Sequence, residues 1–523
     1  MKHKSKRLYL LLMLILFLPA CNNVNEVEQI YDTSSIVIEK DAQPDSVTLP
    51  TQTAIATATT AATLNPPTTT ATVISTASAT SIESSSDTVL LPPSNRDLLF
   101  LADGAFKRWN HETQSIEILV AGPDPSICVH TDINDYEDFV GDIVDFSISE
   151  DGKQVVFAQL TALQPETYTP DEDFVTQHRL YFMDLGSQAI REFVPRIDNL
   201  SEFSISPDAQ YVAFSGSSFA GDFEVDELGK PLSNLYLLAT DGDNSDMAEL
   251  VAPCTRFCSQ IVWHSDSSLF LYGDLSALWM RYLAANEPEM LVQNQPEHIT
   301  DEGGKDLTAI YSPLMWANNG RFVMLKRTHW EGGSRAVLDL TTKALVAVPD
   351  SMNYPGLFGV EVIWAPDDRI SVLRSEMDNE QDGNLTEHMP NVELWRFLPE
   401  KSSIVQEEKH ILSEQQVGAA GQQYVENGRF AYALLSWPEE SNPASGLFQL
   451  DSLSAQPERI NAQPYLAYAY RVLWSTDGSD VLIWGGFKNH VFYGAVGSDN
   501  IDDVTDSLGA DAHAFQWQPE IMP

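Results

Sequence analysis

The sequence predicts an all-β chain: a β-propeller of about eight four-stranded blades, with seven as the alternative. Three observations carry this. A unit of apolar strand, tight turn and apolar strand recurs about every 50 residues, which marks a repeat architecture. Its clearest copies hold Ser204-Ile205-Ser206-Pro207-Asp208 and Ser147-Ile148-Ser149-Glu150-Asp151-Gly152. The chain also ends in Ala514-Phe515-Gln516-Trp517-Gln518-Pro519, which reads as the first strand of one more unit. The opening strands are short by that one strand, so pairing the C-terminal strand with the N-terminal blade completes it and closes the ring.

The elements follow in order. Residues 98–101, 106–109 and 115–120 read as three opening strands, the first two joined by the turn Asp103-Gly104. Full units then start near 143, 203, 261, 314 and 362, a weaker one surrounds Tyr424, and the last starts near 472. Trp263, Trp316, Trp364 and Trp474 mark the first strand in four of them. The turn chemistry is structural: Pro presets φ, Asp or Asn bonds its own backbone, and Gly takes the positive-φ position. Flanking aromatic and β-branched residues suit buried strands. Seven internal units and one composite blade make eight, and the weakness of the Tyr424 unit leaves seven as the alternative. The propeller spans 96–523, and longer inserts such as 164–177 and 221–231 fall where blade loops belong.

These units resemble the WD40-like repeats of TolB-type propellers over roughly residues 97–519. The likeness is carried by Ser206-Pro207-Asp208, Asp151-Gly152, Trp364 to Asp368 and Trp474 to Gly478. It implies the fold and supplies no catalytic residue.

Ahead of the propeller, Lys2, Lys4, Lys6 and Arg7 precede a short apolar run that ends in Leu18-Pro19-Ala20-Cys21. The run is short for a membrane span. The pattern resembles a bacterial lipoprotein signal peptide. That resemblance implies removal of residues 1–20, lipidation of Cys21, and an envelope location, membrane-anchored and facing outside the cytoplasm. Residues 21–95 then read as a disordered Thr/Ala/Ser/Pro-rich stalk, with no aromatic residue between Tyr31 and Phe100. About 70 flexible residues reach about 45 Å.

With 75 acidic against 30 basic residues and a net charge of −45, nucleic acid is excluded as a partner. Beside Cys21 the chain has Cys128, Cys254 and Cys258. Cys254 and Cys258 are the candidate disulfide in an oxidising compartment, with a bridge from Cys128 to either as the competitor.

Chemical motifs are sparse. No Gly-x-Ser-x-Gly elbow is present, and Ser475-Thr476-Asp477-Gly478 reads as a blade turn, not a sialidase box. Cys254, Cys258 and His264, with Cys128 and His130, fall short of a zinc pattern. No cofactor is expected, and calcium is the one alternative the residues leave open. The two candidate turns are Asp378-Asn379-Glu380-Gln381-Asp382-Gly383 and Asp241 to Asp246, although Met389 stands where an EF-hand needs Glu. Trp330 and Trp437 are candidate loop contacts for a sugar or peptide.

The functional expectation is a lipid-anchored, extracytoplasmic, non-catalytic module that binds a protein or an envelope polymer such as a glycan. The TolB resemblance adds an assembly component as one form of it. The alternative is an envelope enzyme, a glycan lyase or hydrolase, with converging acids, His or Arg in the propeller funnel.

Overall fold

The computed structural model describes residues 91–123, 140–165, 174–217, 232–241, 248–254, 258–295, 309–329, 332–349, 351, 360–374, 389–415, 417–435, 444–461, 470–485, 490–496, 498, 501–509 and 511–519. The chain divides into Met1–Ser84 and Ser85–Pro523, and every described residue belongs to the second unit.

Eight four-stranded antiparallel sheets form an eight-bladed β-propeller. Seven are meanders of consecutive strands. Their inner strands are Ile143–Ile148, Glu202–Ile205, Ser259–Trp263, Ile310–Trp316, Glu361–Trp364, Gly418–Tyr424 and Tyr470–Trp474. The eighth blade is composite: Ser115–Val120, Ala105–Asn110 and Leu98–Ala102 pair in turn, and His513–Trp517 adds its inner strand. Leu98 stands opposite Trp517 in that register. Neighbouring blades meet along their inner strands.

Packing follows the same count. Among the described residues, eight apolar clusters fill the eight seams between adjacent blades. The seam from the composite blade to the first internal blade packs Leu99, Leu101 and Phe106 on Phe146, Val155 and Phe157. The seam from the seventh internal blade to the composite one packs Leu482, Val491 and Tyr493 on Leu98, Trp109 and Trp517. Full burial of each such side chain contributes about 1.5–3 kcal/mol. A blade exposes two apolar faces, so only a closed ring satisfies all of them.

The unit around Tyr424 is a complete blade, so the count is eight and the alternative of seven falls away. Its weak signature has a local cause. Gly418-Ala419-Ala420-Gly421 carries no aromatic or branched residue, and a short 3₁₀ turn over Glu426–Gly428 replaces the Pro-Asp turn.

Candidate functional site

The recurring turn comes first, because Ser206 and Asp208 are chemically suggestive together. Ser206 Oγ donates to Asp208 Oδ1 (2.7 Å) and accepts the Tyr211 N–H (3.0 Å). The Gln210 N–H bonds the same Asp208 oxygen (3.1 Å). The Ala209 N–H closes the turn on Ser206 O (2.8 Å), with Ala209 at φ +56°. The same bonds recur at Ser149–Asp151 and at Ser475–Asp477. Serine and aspartate therefore serve the turn. This also places Ser475-Thr476-Asp477-Gly478 as a blade turn.

The tryptophans are blade-to-blade clasps. Trp263, Trp316 and Trp364 each donate the indole N–H to a carbonyl on the preceding blade's inner strand, at Ser204 (3.3 Å), Val262 (3.4 Å) and Met315 (3.5 Å). Trp474 reaches Gly421 O (2.9 Å), and Trp517 reaches Leu473 O (3.2 Å) across the closing seam. An indole suits this position because it buries a large apolar ring and still satisfies its N–H.

With both motifs assigned to architecture, chemistry is left to one level of the inner strands. Every inner strand ends at Ile148, Ile205, Trp263, Trp316, Trp364, Tyr424, Trp474 or Trp517. Three residues earlier stand Asp145, Glu202, Gln260, Pro313, Glu361, Gly421, Arg471 and Ala514. Gln260, Gly421 and Ala514 have φ of +52°, +68° and +53°, and each sits at a register shift. Such bulges turn backbone groups out of the ladder. Two of them catch a carboxylate of the preceding blade. The Gly421 and Gln422 N–H groups each donate to one oxygen of Glu361 (2.9 Å both). The Gln260 N–H donates to Glu202.

The carboxylates differ in what remains open. Burial raises the Glu361 pKa while its two backbone donors oppose the rise, and both oxygens are taken. Glu202 is pushed up to about 7, first by burial and then by the charge of Asp145 on the neighbouring blade. Asp145 is exposed as a residue, yet its carboxyl sits where protein groups crowd out water. That withdrawal from bulk water raises its pKa, against the Phe146 N–H bond and the nearby His513, which lower it. Like charges near enough for one to raise the other's pKa disfavour joint ionisation, and a cation bound beside them restores it. This arrangement suits capture of a positive group.

Other residues singled out by sequence fall as follows. Cys254 and Cys258 are disulfide-bonded, with Cα atoms 5.5 Å apart, and link the second internal blade to the third inside their seam. His264 bonds Asp266 (2.7 Å) and stands edge-on to Trp316, as a turn residue. Cys21, Cys128, His130, Asp378 to Gly383, Trp330 and Trp437 lie outside the described residues, as do residues 242–246 of the turn that begins at Asp241. Among the described residues no three His, Cys, Asp or Glu side chains converge to hold a metal.

Thr505, His490 and Asp503 imitate a nucleophile, base and acid. Thr505 Oγ1 (3.5 Å) and Asp503 Oδ2 (3.0 Å) both address His490 Nδ1. A catalytic triad uses one ring nitrogen for each partner. Thr505 Oγ1 also bonds Asp503 Oδ1 (2.6 Å) and accepts the Val491 N–H (2.8 Å), so the group is a loop clasp.

Sequence reading missed Asp145, Glu202 and Glu361. A signal existed: aligned on the strand-ending residue, the units show acids in one column. No protein-family model matches the chain, and no curated protein matches it either. In structure the chain is similar to a eukaryotic initiation factor, at 11% identity over 81% of this chain and 98% of that one, with TM-score 0.42. It is similar to TolB from Acinetobacter baumannii, at 12% identity over 70% and 83%, with TM-score 0.29. It is also similar to a prolyl endopeptidase, at 12% identity and TM-score 0.42 over 69% of this chain; the chain spans about half that enzyme's length, 49%. These likenesses concern the propeller fold alone.

Proposed function

We propose that this protein is a non-catalytic binding module whose inner-strand acids receive a basic group, a lysine or arginine side chain, from a protein partner. The observation that carries this is the pair Asp145 and Glu202 on adjacent blades, with Glu202 held near neutrality by burial and by its neighbour's charge. The chain's net charge of −45 steers a basic partner toward the ring. An enzyme of the same geometry needs a nucleophile or a second polarising group beside the acids. Lipidation of Cys21 and the 21–95 stalk belong to the same reading, as the tether that presents the module outside the cytoplasm. Cys21→Ser then releases the protein to the soluble fraction, and continued membrane association contradicts the anchor.

The binding claim is tested by calorimetric titration with tetralysine as the probe. Asp145→Asn with Glu202→Gln weakens binding about tenfold, or about 1.4 kcal/mol. A control removing two outlying charges, Asp451→Asn with Glu458→Gln, leaves it within about twofold. Equal effects of the two double variants reduce the interaction to bulk charge and overturn the proposal.

A further inference from the structure

A second site lies where the ring closes. A cavity of about 660 Å³ opens among the turns of three blades, the seventh internal, the composite and the first internal. This is within the range of ligand pockets, about 300–1,000 Å³. Its wall carries three cations, Arg96, Arg108 and Lys153, and three carboxylates, Asp97, Asp184 and Asp477. The charges are interleaved. Arg96 Nε lies 3.2 Å from Asp477, Arg108 Nη1 lies 3.7 Å from Asp97, and Lys153 Nζ lies 3.5 Å from Asp151 just outside the wall. Arg108 also donates its Nε to Glu117 (3.1 Å) and Arg96 lies 3.7 Å from Glu426, so the wall is two-signed, with each of its cations already facing a carboxylate.

Gln518 braces one side of the cavity. It lines the cavity, is only 6% exposed, and donates its Nε2 to Gly152 O (2.7 Å). Its Oε1 is buried without a donor. A buried acceptor left unpaired costs about 1–3 kcal/mol.

We propose that this cavity binds a small zwitterion, an amino acid or short peptide with free amino and carboxyl ends. The carboxylate meets the Arg96, Arg108 and Lys153 side. The ammonium meets the aspartates. The field of the whole chain repels a simple anion, whereas a zwitterion carries no net charge to be turned away. A bound ligand touches the blades on both sides of the closing strand, so it braces ring closure and raises Tm by mass action.

The test uses the full chain, with calorimetry and thermal denaturation at pH 7. The probe is dialanine, set against N-acetyl-dialanine, dialanine amide, galacturonate and inorganic phosphate. Dialanine binds and raises Tm with concentration, and capping either end weakens binding about tenfold. Lys153 is half-exposed on a turn, so Lys153→Ala keeps the unliganded Tm and weakens dialanine about fivefold. Equal binding of free and capped forms overturns the assignment, as does tighter binding of galacturonate or phosphate, which would mark an anion site. Absence of dialanine binding at about 10 mM, far weaker than ordinary ligand affinity, also overturns it, and unchanged affinity in Lys153→Ala places binding elsewhere.

Discussion

Glu202 shows how one carboxylate becomes sensitive to neutral pH. It begins an inner strand, so its carboxyl is held among protein groups and near Asp145. Its pKa in the fold is about 7 against an ordinary value of 4.5. The folded protein therefore holds this proton more tightly than the unfolded chain. The group costs nothing below pH 4.5, and stability falls as pH rises through 7. Glu202→Gln keeps an acceptor for the Gln260 N–H and removes the charge. It raises stability at pH 8 by about 1–2 kcal/mol and leaves it unchanged at pH 4.5, as read from denaturant unfolding at both values. His178 runs the opposite way. Burial lowers it to about 4, against the pull of Asp198, and Nδ1 has no partner. Its contribution is full above pH 6.5 and is lost as pH falls through 4.

Among the elements, the turn between the first two strands of each blade sets the sharpest constraint. Its closing residue takes positive φ in seven blades: +68° at Gly152, +56° at Ala209, +60° at Ser267, +63° at Gly320, +61° at Asp368, +73° at Gly428 and +73° at Gly478. Only glycine adopts that region without cost, about 1–2 kcal/mol for other residues. Substitutions at equivalent positions therefore have opposite signs. Ala209→Gly stabilises by up to about 1 kcal/mol. Gly152→Ala destabilises by about 1–2 kcal/mol, because a Cβ there also meets Pro519 O at 3.1 Å. Melting of the two variants checks the contrast. These turns were legible in the sequence because Pro, Asp and Gly state their backbone angles. The tryptophans were legible as markers only. Their role as clasps depends on the neighbouring blade's carbonyl, which no local pattern specifies. The acids at 145, 202 and 361 share one position counted back from the strand end, but what they meet is set by other blades, and the bulges at Gln260 and Ala514 use no glycine to mark them.

The whole molecule is a ring whose ends are joined by one strand. Ring and closure were legible because repeats and an orphan half-unit constrain each other. Site and ligand were not, because convergence of inner strands is set by ring geometry. Deletion of residues 513–519 removes the inner strand of the composite blade together with the Trp517 clasp to Leu473 O. It exposes apolar surface in both seams of that blade. The expected result is loss of cooperative melting or a large fall in Tm, and an unchanged transition contradicts closure by this strand. The proposed capture of a basic group draws on proton linkage at the inner-strand acids. Burial and the charge of Asp145 push the Glu202 carboxyl up to about 7, so a bound cation that favours the carboxylate draws a proton from it near neutral pH. The decisive measurement is the tetralysine binding enthalpy at pH 7 in buffers of different ionisation heat. Proton release on binding that disappears in Glu202→Gln is the predicted result; binding without proton release, or equal release from that variant, contradicts it.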